Sequence, residues 1–130
     1  MKRLIILLCF LLSLISISAT TIRFKTTEFN YRERTYYGWS NWKSETCNIR
    51  IDMVDNYLVI HSLKTQAYYL YNLQDAYTDA DGDCILESNF IDQDGNKGEF
   101  NLIYRVVDGM WQLYIRFSDI QWVYNVIQID

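Results

Sequence analysis

Apolar and polar residues alternate one for one through most of this chain from Cys47 onward. That two-residue period belongs to strands with one buried face. Cys47, Ile49, Ile51 and Met53 fall on one side of the first run, and Asn48, Arg50 and Asp52 on the other. Asp55-Asn56 separates it from Tyr57–Leu63, the spacing of a tight hairpin. In this second run Leu58 and Ile60 share one face, with Tyr57, Val59, His61 and Leu63 opposite. Lys64-Thr65 predicts a turn into Gln66–Leu73. The alternation resumes in Cys84–Ile91, Gly98–Val107, Met110–Phe117 and Gln121–Ile129. Asp92–Asn96, Asp108-Gly109 and Ser118-Asp119 connect these runs, and Asp-Gly is a strong hairpin signal because glycine tolerates positive φ. Upstream, Thr21–Thr26 forms a first strand with Ile22 and Phe24 inward.

Two segments interrupt the pattern. Gln74–Asp83 is polar and acidic and contains Gly82, which predicts a surface loop. Thr27–Thr46 mixes Phe29, Tyr31, Tyr36, Tyr37, Trp39 and Trp42 irregularly with charges, and reads as an edge strand plus a loop. No helical period occurs beyond the N-terminal region. Seven or eight short antiparallel strands in a meander predict a small all-β barrel or a two-sheet sandwich. The barrel is preferred, because consecutive hairpins dominate and closure removes exposed edges.

Residues 1–19 set the expected compartment. Lys2 and Arg3 precede an apolar run from Leu4 to Ile17, and small residues follow at Ser18 and Ala19. This is the order of a secretory signal peptide, too short to span a bilayer. Cleavage after Ala19 leaves one domain, 20–130, secreted or periplasmic and without further membrane attachment. Losing Lys2 and Arg3 leaves ten basic against sixteen acidic residues, net −6 with His61 neutral. An acidic surface argues against nucleic acid as a partner.

Cys47 and Cys84 remain after cleavage and form the candidate disulfide of an exported protein, with two separate buried thiols as the other reading. Two cysteines and a distant His61 lack metal-ligand spacing. Asp79, Asp81 and Asp83, like Asp92, Asp94 and Asn96, match the start of a calcium loop. Glycine is absent from the sixth position of each and the closing Glu from the twelfth, so ordinary turn chemistry is the favoured reading. No cofactor is expected.

Aromatic residues are the main compositional anomaly: eleven Tyr, six Phe and four Trp. Tyr57, Tyr69 and Tyr71 fall on the face opposite Leu58, Ile60 and Leu70. On neighbouring strands they form an aromatic strip suited to stacking on sugar rings or anchoring a protein. Over four residues, Trp39-Ser40-Asn41-Trp42 resembles the W-S-x-W of thrombospondin type 1 repeats, in which tryptophans stack with arginines. Arg32, Arg34 and Lys43 are the local candidates for such cation–π partners.

Catalytic signatures are missing. His61 and Ser62 are adjacent and point to opposite faces, and no phosphate loop, HExxH or GxSxG occurs. Glu87 and Glu99 occupy outward strand positions. Trp-Ser-x-Trp, Asn48-Ile49-Arg50-Ile51-Asp52 and Phe117-Ser118-Asp119-Ile120-Gln121-Trp122-Val123-Tyr124-Asn125 together resemble small secreted β proteins of gut bacteria and their phages. The resemblance implies compartment and fold, and no activity.

The expected function is a non-catalytic exported binding module that recognises a glycan or protein through Tyr57, Tyr69, Tyr71, Trp39 and Trp42. One alternative is an inhibitor that meets a basic enzyme through Asp75–Asp83 and Asp92–Asn96. Another is a lipocalin-like carrier with a small ligand inside the barrel.

Overall fold

Hairpin follows hairpin around a closed sheet in the computed structural model, which describes residues 21–62 and 64–129. The strands are β1 (Thr21–Thr35), β2 (Gly38–Trp39), β3 (Asn48–Asp52), β4 (Tyr57–His61) and β5 (Gln66–Tyr71). They continue as β6 (Tyr77–Thr78), β7 (Cys84–Asp92), β8 (Lys97–Arg105), β9 (Met110–Arg116) and β10 (Gln121–Ile129). Eight of them run antiparallel in the order β1-β3-β4-β5-β7-β8-β9-β10, and β10 pairs back onto β1. The barrel is therefore closed, and no helix forms among the described residues. Two short strands lie outside the ring: β2 on β1, and β6 on β7. The signal peptide expected over 1–19 lies outside the described residues.

The period-two pattern fills the barrel. Phe24, Ile49, Ile51, Leu58, Ile60, Leu70, Phe90, Phe100, Leu102, Leu113 and Ile115 are almost fully buried in one cluster. The connections divide between two ends. The β4–β5, β7–β8 and β9–β10 turns sit at the upper end with the β1–β2 hairpin. The β3–β4 and β8–β9 turns and the segment 72–83 sit at the lower end.

β1 is the long exception. Between Thr26 and Tyr31 its register against β10 shifts, so four residues of β1, 27–30, stand against the single residue Asn125 of β10. A bulge of this kind reverses the alternation. Ile22 and Phe24 are buried before it, whereas after it the even-numbered Arg34 is exposed. β1 also outruns β3, which it leaves at the Lys25–Asn48 pair. Its upper end pairs instead with β2, at Arg34–Trp39 and Thr35–Gly38.

The candidate bridge between Cys47 and Cys84 does not form. Cys47 is a free, buried thiol. It precedes β3 at the upper end, whereas Cys84 opens β7 at the lower end. Three successive reversals of chain direction separate the two strand starts, and a disulfide needs Cα atoms within about 7 Å. The Cys47 amide donates to Thr26 Oγ1 at 2.9 Å, tying the start of β3 to β1. Burial, and then the neighbouring Glu45 carboxylate, push the Cys47 thiol up to about 12. At pH 8 the thiolate fraction is then about one in ten thousand. Cys47 should resist iodoacetamide in the native protein and label readily in urea. Equal labelling rates in the two states would refute this placement.

Candidate functional site

The predicted tyrosine strip exists on the outside of the barrel. Tyr57 on β4 and Tyr69 on β5 are direct cross-strand partners, and Tyr69 is 60% exposed. The Arg50 guanidinium lies 5.4 Å from the Tyr57 ring and its Nη2 donates to the Tyr57 hydroxyl at 3.4 Å. Tyr71, two residues along β5 and on the same face, stands opposite Asn89 on β7. This pair sets the site, because it joins the strip to a polar cleft.

The cleft opens where β5 leaves β7. Asn72 adopts left-handed backbone geometry, at φ 56°, and turns the chain away from the sheet. Asparagine tolerates that conformation better than other side chains with a Cβ. The Gln74 amide returns to the Glu87 carbonyl at 3.1 Å. The gap between has a volume of about 120 Å³ and is lined by Asn72, Gln74, Glu87, Ser88, Asn89 and Glu99. Every lining side chain is polar, supplying amide donors and carboxylate acceptors together.

Its floor is held by a hydrogen-bond network. One Glu87 oxygen accepts the Tyr77 hydroxyl, and the other accepts Asn101 Nδ2 at 3.0 Å. The bond to Glu87 is the main reason the Tyr77 phenol is raised from its ordinary value. Asn101 Oδ1 accepts Arg116 Nε at 2.8 Å, and Arg116 Nη1 donates to Gln121 at 2.9 Å. The Arg116 guanidinium also lies 4.4 Å from the Tyr114 ring. Linked polar groups of this kind fix one another's rotamers.

Trp39 and Trp42 belong to a different assembly. The Arg32 guanidinium lies 4.5 Å from each indole ring, and Arg34 lies 6.0 Å from Trp39. The arginine partners expected from W-S-x-W are thus present, whereas Lys43 makes no cation–π contact among the described residues. This stack occupies ring faces that a ligand would otherwise use. A continuous cross-strand row runs from Tyr71 through Asn89, Glu99, Arg116, Gln121 and Arg34 to Trp39. Its six steps, at about 4.8 Å each, place the ends about 29 Å apart along a curved wall. The five aromatic residues do not make one patch.

The acidic segments are two copies of one turn. In Asp79-Ala80-Asp81-Gly82-Asp83, Asp79 Oδ1 accepts the amides of Asp81 and Asp83, each at 3.0 Å. In Asp92-Gln93-Asp94-Gly95-Asn96, Asp92 Oδ1 accepts those of Asp94 and Asn96 at 3.0 and 2.7 Å. Gly82 and Gly95 take matching φ values of 86° and 85°. The carboxylates of Asp79, Asp81 and Asp83 do gather within 4.8 Å. Yet Asp83 receives Arg105 Nη1 and the Val106 amide, both at 3.0 Å, which is structural work. The two turns flank β7 at opposite ends, about 30 Å apart at 3.3 Å per residue. They do not form a single acidic face.

At the upper end the barrel opens into a mouth of about 500 Å³, with Glu33 of β1 in its lining. Tyr68, Phe117, Trp122 and Tyr124 contribute to its wall. Below it the interior is occupied by the packed core, so a ligand held here sits in the mouth rather than deep in the barrel.

No family model, curated protein or solved structure matches this chain.

The cleft residues Asn72, Gln74 and Asn89 escaped sequence reasoning. Single polar residues at strand ends carry no motif. The detectable signal was the outward phase of Tyr71 beside an unusually polar loop start.

Proposed function

We propose that this chain is an exported, non-catalytic binding module that recognises a glycan on the outer face formed by β4, β5, β7 and β8. The register pair Tyr71–Asn89 carries the reading, because it sets an aromatic strip directly against an all-polar cleft. A sugar ring offers an apolar C–H face and a rim of hydroxyls. Tyr69 and Tyr71 suit the first; the amides of Asn72, Gln74 and Asn89, with Glu99, suit the second. A cleft of about 120 Å³ takes one edge of a ring and leaves the remainder on the tyrosines. Both Glu87 oxygens are committed to hydrogen bonds, which favours positioning over acid–base work. Export rests on the leader-like composition of residues 1–19.

The test is a glycan array followed by titration of the best neutral oligosaccharide. Tyr71→Ala should weaken binding about tenfold, a loss of about 1.4 kcal/mol. Raising salt should have little effect, because the ligand is neutral. Capture of a protein partner with steep salt dependence, and no glycan, would overturn the glycan reading.

A further inference from the structure

The geometry points to a second binding site in the upper mouth of the barrel, built for a small organic cation carried on a compact apolar body. This inference is independent of the glycan face, which lies on the outer wall. The volume of about 500 Å³ falls in the range of small-molecule sites.

The chemistry comes from the lining. Phe117 and Trp122 are half-buried there, and their rings pack edge to face at 5.6 Å. Phe117 rests in turn on the buried Phe90 at 5.1 Å, so the aromatic wall is anchored to the core. Trp122 Nε1 donates to Glu33 Oε2 at 3.0 Å across the β1–β10 pair. That bond fixes the orientation of the indole and brings a carboxylate to its edge. Glu45 and Asp94 add negative charge to the rim, and Lys64 is the cation among the lining residues.

Aromatic faces and carboxylates in one partly desolvated mouth attract an ammonium twice over. The ring quadrupoles act at short range and the acidic rim acts at longer range. A neutral molecule of the same shape gains only the apolar contact. An anion meets repulsion from the rim.

Choline and its neutral isostere 3,3-dimethylbutan-1-ol provide the matched probes, titrated into the purified protein by calorimetry. Choline should bind saturably, with the alcohol at least tenfold weaker. Asp94→Asn should weaken choline several-fold, and Trp122→Phe should do the same while leaving the thermal transition cooperative. Tyr71→Ala should leave choline binding unchanged, so this result and the glycan result can fail separately. Equal affinity for the two probes, no binding at millimolar concentration, or indifference to both mouth substitutions would each overturn the proposal.

Discussion

Replacing Phe90 with alanine is expected to destabilise the barrel by about 3–5 kcal/mol. The ring is fully buried and packs edge to face on Tyr68 at 4.8 Å and on Phe117 at 5.1 Å. It therefore joins the central core to the aromatic wall of the mouth. Opposite it stands Gly98, where an added Cβ would strike both the Phe90 ring and the Arg116 carbonyl. The absence of a side chain at Gly98 makes room for the Phe90 ring. Alanine at 90 would leave a cavity between two strands whose backbones are already fixed by their ladder, so collapse cannot fill it. Small domains have only about 5–15 kcal/mol in hand. Urea unfolding should show a lower midpoint with an unchanged slope, and Phe90→Leu should recover part of the loss. A midpoint unchanged in the alanine variant would contradict the packing described.

The second large effect belongs to Asp83, which is expected to cost about 2–4 kcal/mol when replaced by alanine. Its carboxylate is nearly buried and receives both Arg105 Nη1 and the Val106 amide. The pair ties the segment before β7 to the β8–β9 turn. Burial by itself would lower the Arg105 guanidinium, but bonds to Tyr114 and Asp83 more than offset this and leave it raised. Arg105 keeps about a third of its side chain in water, so solvent screens part of the interaction and the figure lies below that of a fully buried pair. Asp81→Ala, at an exposed turn position, should stay within about 0.5 kcal/mol. Hydrogen exchange would locate the damage: the Val106 and Asp83 amides should lose protection before those of β3 and β4. Uniform loss across the barrel would argue against this local role.

The all-β class and the inward residues were legible because a strand with one buried face must alternate, and a meander of such strands closes most simply by pairing its ends. Ile49, Ile51, Leu58, Ile60, Leu102 and Leu113 all lie inside as their spacing predicts. Thr27–Thr46 resisted for a physical reason. The bulge after Thr26 reverses the phase of β1, and Trp39 and Trp42 close around Arg32 instead of entering the core. The cysteine pairing failed because an even count does not reveal which strand ends are neighbours. Of the site, the outward tyrosines could be read from parity alone. That Tyr71 meets Asn89, and that Asn72 turns the chain aside to open a cleft, depends on the register between β5 and β7, which no local pattern encodes.

The most direct test of the glycan face is an amide chemical-shift map recorded while the best neutral oligosaccharide is titrated into the labelled protein. Shifts should concentrate at Tyr69, Tyr71, Asn72, Asn89 and Glu99, with the mouth around Trp122 and the Trp39–Arg32–Trp42 stack unmoved. Shifts centred on the mouth or on that stack, with the β5–β7 face silent, would contradict it.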